Sequence, residues 1–197
     1  MNWALVNLLA SGMLSRVYIA SADCVLIHLR SNVWFTASFK NDARVMNYAV
    51  QKFYELNAEF ETLLTPESGF NTLCMFQPIS ESIVQKGVQK GGNVMGLDQY
   101  IKSSNGIMFL ATLAVNGAEK EALGYPKIKA YTEDIEAYAA SLNVDWDWKY
   151  LNYAAKTQDA ISTYGAVALA KLKAASKKYD PKGVFQKLRL SGFKIPA

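Results

Sequence analysis

Between Val33 and Val115 the apolar residues change their spacing repeatedly, and each change marks an element boundary. Val33-Trp34-Phe35-Thr36-Ala37-Ser38-Phe39 is short, β-branched and aromatic, as a strand requires. Val25-Leu26-Ile27-His28-Leu29 reads the same way, with Ser31-Asn32 between the two runs. Val45, Met46, Ala49, Val50, Phe53, Leu56, Phe60 and Leu63 then recur at three- and four-residue steps, the spacing of one helix face. Asp42 is placed to cap that helix, which runs to about Leu64 before Pro66 and Gly69 end it. Phe70 to Pro78 and Ile107 to Val115 are further buried-strand candidates. Strands broken by helices without regular β-α alternation argue for an α+β domain, a mostly antiparallel sheet flanked by helices.

The rest of the chain divides by its caps and breakers. Ser80 is suited to cap a short helix with Ile83 and Val84 facing inward. Gly91-Gly92-Asn93 predicts a turn. A helix is expected from about Tyr125, with Pro126 in its first turn and Ile128, Tyr131, Ile135, Tyr138 and Leu142 as its apolar stripe. A last helix covers roughly Tyr164 to Lys178, where Asp180-Pro181 stops it.

A chain of 197 residues with 51% hydrophobic and 19% charged residues is ordered and long enough for a sizeable core. Aromatic residues at 12% suit a ligand pocket or an aromatic-rich core. The net charge of +4 is mild, and Lys171, Lys173, Lys177, Lys178, Lys182 and Lys187 read as a solvated helix face opposing the helix dipole. No zinc spacing or nucleic-acid-binding signature accompanies them, so nucleic acid is not expected as a partner. Arg16 and Asp23 interrupt the apolar start of the chain, which argues against a membrane span. Cys24 and Cys74, far apart in sequence, read as two buried free thiols with a disulfide between them left open, and His28, the one histidine, reads as structural.

Strand alternation divides Phe70 to Pro78 into two exclusive sets. Asn71, Leu73, Met75 and Gln77 form one, available to a ligand; Phe70, Thr72, Cys74 and Phe76 form the other, available to helices. Alternation by itself does not say which set faces which way.

Two motifs carry a family resemblance. The first is Trp148-Lys149-Tyr150-Leu151-Asn152-Tyr153, an aromatic-Asn-aromatic strand end, followed by a lysine-rich helix and Tyr179-Asp180-Pro181-Lys182-Gly183-Val184-Phe185. The second is Gly91-Gly92-Asn93-Val94-Met95-Gly96-Leu97. Together they resemble the C-terminal, substrate-domain part of fungal berberine-bridge-enzyme-like FAD-linked oxidoreductases, in the vanillyl-alcohol oxidase and p-cresol methylhydroxylase superfamily.

The resemblance implies FAD as cofactor, in a segment lying beside the flavin ring. It assigns Asn152 to the cofactor, Tyr150 and Tyr153 to catalysis, and Asn71, Met75, Gln77, Gly92 and Asn93 to a small-molecule substrate. It divides the chain into an N-terminal segment of unclear origin (1–30), a substrate-binding domain (31–145) and a cofactor-lid segment (146–197). It further implies that the flavin-binding domain is absent, so that FAD is not held by this chain alone and a flavin-domain partner or homo-oligomer is called for. Three functions stay open: oxidation of an alcohol, amine or sugar carbon of a secondary metabolite with hydride transfer to flavin; flavin-free isomerisation or cyclisation of a polyketide-like metabolite; or binding without catalysis. Cytoplasmic and secreted locations both stay open.

Overall fold

A computed structural model of the chain describes residues 30–101 and 104–196. The strand expected at Val25–Leu29, with His28, and Cys24 lie outside the described residues.

Four strands form one antiparallel sheet in the order β2-β3-β1-β4. They are β1 (Ser31–Lys40), β2 (Asn71–Ile79), β3 (Gly106–Val115) and the short β4 (Asp145–Trp146). Helix α1 (Ala43–Leu63) crosses from β1 to β2, and α3 (Ala118–Ser141) crosses from β3 to β4. Between β2 and β3 lies α2 (Glu81–Gln89); α4 (Ala166–Tyr179) and α5 (Val184–Lys187) follow β4. Two crossovers that each skip a strand make a split β-α-β arrangement.

Side-chain parity decides where the main core lies. Val33, Phe35, Ala37 and Phe39 of β1 share a face with Ile107, Phe109, Ala111, Leu113 and Val115 of β3. All nine are buried, under Val45, Ala49, Leu56 and Phe60 of α1 and Ile128, Tyr131 and Ile135 of α3. A fully buried Phe contributes roughly 2–3 kcal/mol of this. Cys74 and Phe76 join the same face, and the Thr72 hydroxyl donates to Asn57 Oδ1 on α1 at 2.5 Å. The helix-facing set of β2 is therefore Phe70, Thr72, Cys74 and Phe76, which leaves Asn71, Leu73, Met75 and Gln77 on the opposite face.

The caps form as their residue types predict. Asp42 accepts from Arg44 N at 2.8 Å, and Ser80 from Ile83 N at 3.3 Å. Four features differ from expectation. Ser31 and Asn32 are strand residues, because β3 supplies partners as far as Val115. Helix α3 begins at Ala118 and takes Pro126 into its interior, since Ala118-Glu119-Lys120-Glu121-Ala122-Leu123 are strong helix formers. Ile83 is 68% exposed, whereas Val84 packs inward: the short α2 rests only one edge on the protein. The aromatic-Asn-aromatic segment is not a strand end. The ladder stops at Trp146, and Tyr153 N donates to Tyr150 O at 3.0 Å, closing a turn.

Candidate functional site

The face of the sheet turned away from α1 and α3 carries no charged side chain along β1 to β3 between Asn32 and Ser38, Asn71 and Gln77, and Met108 and Ala114. Its rows are Asn71-Ala114-Asn32, Leu73-Thr112-Trp34, Met75-Leu110-Thr36 and Gln77-Met108-Ser38, the last extended by Trp146.

A second core covers one end of this face. Trp146, Trp148, Ile101, Tyr164 and Ala168 are buried together, with Met108, Met95, Leu97, Tyr150 and Leu151 against them. The other end stays half-exposed at Leu73, Met75 and Thr112, with Trp34 39% exposed.

The Tyr150–Tyr153 turn stands at the border between the two ends. Tyr153 meets the Trp34 ring edge-on at 5.5 Å, and Tyr150 meets Tyr153 edge-on at 5.0 Å. Tyr150 in turn stacks on buried Trp148 at 5.9 Å. The chain of rings thus runs from the second core to the open sheet. Asn152 Nδ2 donates to the Tyr150 hydroxyl at 2.9 Å, and its exposed amide keeps further donor and acceptor capacity.

Two glutamines that sequence reasoning missed fix this corner. Gln158 Oε1 accepts from Thr36 N and from Ala155 N, both at 3.1 Å, and its Nε2 donates to Thr36 O at 2.8 Å. Gln99 Nε2 donates to Tyr164 O at 2.8 Å. No local pattern announces either, because their anchoring partners, Thr36 and Tyr164, lie 122 and 65 positions away in sequence. Trp34 was readable only as a strand residue.

The two resemblance motifs meet in space. Trp148 Nε1 donates to Met95 O at 2.8 Å, and Gly96 lies so close that an added methyl would stand 2.2 Å from Tyr164 O. Gly96 has φ 66°, a left-handed conformation. Gly92 and Asn93 are exposed instead: Asn93 Oδ1 caps Met95 N at 2.8 Å, and nothing lies within 4 Å of a methyl at Gly92. Of the expected site residues, Tyr150, Asn152 and Tyr153 share one turn, and Met75 and Gln77 share the sheet face. Asn71 lies at the far, exposed end of that face.

Charge is kept to the back of the corner. Lys149 Nζ pairs with Glu136 Oε1 at 2.6 Å beside a polar cleft of ≈ 180 Å³ whose lining includes Glu133, Lys129, Gln158 and Asp159. Five of the C-terminal lysines and Asp180 border a separate surface depression. Burial raises the Tyr164 phenol, and it raises the Cys74 thiol to about 11. Cys74 is therefore a neutral core group beside the Tyr131 hydroxyl, 3.4 Å away. Among the described residues no group of histidine, cysteine and carboxylate side chains could hold a metal, and no helix is long and apolar enough to cross a membrane.

By sequence the chain is similar to fungal proteins named as FAD-dependent monooxygenases. The chain is 34% identical over 189 residues to the FAD-dependent monooxygenase drtC of Aspergillus calidoustus, covering 92% of this chain and 35% of the relative. It is 29% identical over 164 residues to the FAD-dependent monooxygenase sdcF of Emericella nidulans, covering 83% of this chain and 34% of the relative. It is also 34% identical over 127 residues to the bifunctional solanapyrone synthase of Alternaria solani, covering 64% of this chain and 24% of the relative. The chain spans about a third of the length of the first two relatives. No family model and no solved structure matches it.

Proposed function

We propose that a chain so similar to fungal FAD-dependent monooxygenases is the substrate-side part of a berberine-bridge-like flavin oxidoreductase of secondary metabolism. The observation that carries this reading is the uncharged sheet face ending at the Trp34–Tyr153–Tyr150 rings. Such a surface suits a small, neutral, flat metabolite, because each ring offers a large rigid contact area and no charge has to be desolvated.

The residues present fit the edge of a flavin ring. Asn152 offers an exposed amide beside the Tyr150 ring, matching the donor and acceptor needs of a pyrimidine edge. When bound, FAD supplies the hydride acceptor. This chain's part is to orient the metabolite on Trp34, Leu73 and Met75, with Gln77 as a polar contact, and to exclude water. It would also relay a proton through Tyr150 or Tyr153, whose oxygen accepts the substrate's proton as its own passes on to solvent, while an alcohol, amine or sugar carbon is oxidised. Gly92 and Asn93 belong to the rim of the same pocket in this reading. FAD itself requires a flavin-domain polypeptide beyond the residues named here.

The test is a titration of the purified chain with a neutral aromatic ligand, read by tryptophan fluorescence. Trp34→Ala is expected to weaken ligand binding about tenfold, and Asn152→Ala to leave it unchanged. A ligand that binds the Trp34 variant as tightly as the parent chain would sink the reading. Flavin-free isomerisation or cyclisation remains as a second reading, favoured by the relative whose name is a synthase. Turnover of a polyketide-like substrate without added FAD would select it.

A further inference from the structure

The inner end of the candidate face holds a hydroxyl with nothing to bond to. Among the described residues, two buried side-chain oxygens lack a hydrogen-bond partner, Ser38 Oγ and Ser68 Oγ. Ser68 closes a single helical turn ahead of β2 and belongs to no row of the sheet. Ser38 stands in the last row, Gln77-Met108-Ser38, beside Trp146, and is 3% exposed. Thr36, two residues back on the same face, turns its hydroxyl to Phe109 O at 2.8 Å, whereas Ser38 makes no such bond. A buried hydroxyl left unpaired disfavours the fold, so native chains keep few of them.

We propose that Ser38 is the inner polar contact of the metabolite site, donating to a neutral carbonyl or hydroxyl oxygen of the ligand. This assignment rests on the reading of the uncharged face as the metabolite floor. Ser38 emerges on that face because it alternates in step with Trp34 and Thr36. Access runs past Met108, the neighbour between it and Gln77, which is half-exposed and whose unbranched thioether can swing aside. The surroundings select the ligand's chemistry. Met108, Trp146 and Thr36 are uncharged, and Lys40, next on the face, carries its ammonium to Asn143 O at 3.1 Å. A carboxylate brought to Ser38 would lose its water without gaining a cation, whereas a neutral oxygen gains a bond. Gln77 offers its amide from the other end of the row, two strand spacings or about 10 Å away. The pair fits a flat, neutral molecule with an oxygen at each end.

The experiment titrates the full chain by calorimetry with two probes, naphthalene and a dihydroxynaphthalene whose hydroxyls lie at opposite ends. The parent chain is expected to prefer the diol. Ser38→Ala is expected to weaken diol binding about fivefold, the worth of one hydrogen bond, and to leave naphthalene binding unchanged. Its thermal midpoint is expected to hold or rise, because a hydroxyl without a partner has been removed. Trp34→Ala weakens both probes, so the two readings fail separately. A Trp34 variant that binds both probes like the parent condemns the metabolite floor. A Ser38 variant that binds the diol as tightly as the parent, or loses both probes alike, overturns the role of Ser38 even where Trp34 behaves as expected. A parent chain with no preference for the diol overturns it too. So does a midpoint lowered by Ser38→Ala, since the hydroxyl would then already have its partner in the free chain.

Discussion

The side chain of Gln158 takes the place of a strand at Thr36: it accepts from the Thr36 amide at 3.1 Å and donates to the Thr36 carbonyl at 2.8 Å. The same oxygen holds Ala155 N, so one amide ties the end of the Tyr150–Gln158 loop to β1. Two residues before Thr36 stands Trp34, against which Tyr153 of that loop rests. Gln158 thus sets the distance between the two walls of the candidate site without facing it.

Gln158→Ala should therefore destabilise the chain by roughly 2–4 kcal/mol, since it leaves backbone groups of Thr36 and Ala155 without their partner. Urea unfolding measures the loss. Ligand affinity should fall as well, because the Tyr150–Tyr153 turn is released. A midpoint within error of the parent would contradict this role.

Gly96 is expected to be intolerant. A methyl there would stand 2.2 Å from Tyr164 O, on a backbone with φ 66°. Relief would require moving Tyr164 or Gln99, which the Gln99–Tyr164 hydrogen bond resists. Gly96→Ala should cost about 2–4 kcal/mol from strain and lost packing together. Gly92→Ala has an equally left-handed backbone but open space, so its cost should stay near about 1 kcal/mol. Thermal unfolding of the pair separates collision from backbone strain.

Trp34 should show the reverse profile. It is 39% exposed and touches Tyr153 only by an edge contact, so Trp34→Ala should change stability by less than about 1 kcal/mol. Its effect should appear in ligand binding instead. A large stability loss without a binding change would place Trp34 in the core rather than the site.

Acid should weaken the start of α1. The Arg44 side chain, bonded to Asp42, holds the Asp42 carboxyl down at about 2. A depressed folded pKa stabilises above the unfolded value, near 4, and that contribution is lost as pH falls from there through about 2. An asparagine at this position is also a good cap but cannot titrate. The stability gap between the parent chain and Asp42→Asn should shrink across that pH window, measured by chemical unfolding at several pH values. A gap that stays constant from neutral pH to pH about 2 would rule out the linkage.

Features with a purely local cause were legible along the chain. Spacing placed α1, β2 and β3 within a residue or two, Asp42 and Ser80 capped as their side chains demand, and alternation divided β2 into the two sets later seen on opposite faces. The start of α3 at Ala118 has a local cause too, the helix propensity of the residues upstream of Pro126. Packing settled which set of β2 faces the helices, because that depends on where α1 and α3 land. It also decided that Tyr150–Tyr153 turns rather than extends, that Met95 meets Trp148, and that Gln158 reaches across 122 positions to Thr36. The contacts of Trp148 with Met95, Gln158 with Thr36 and Tyr153 with Trp34 join residues distant along the chain, and a pairing between distant residues leaves no periodic trace in either partner's neighbourhood.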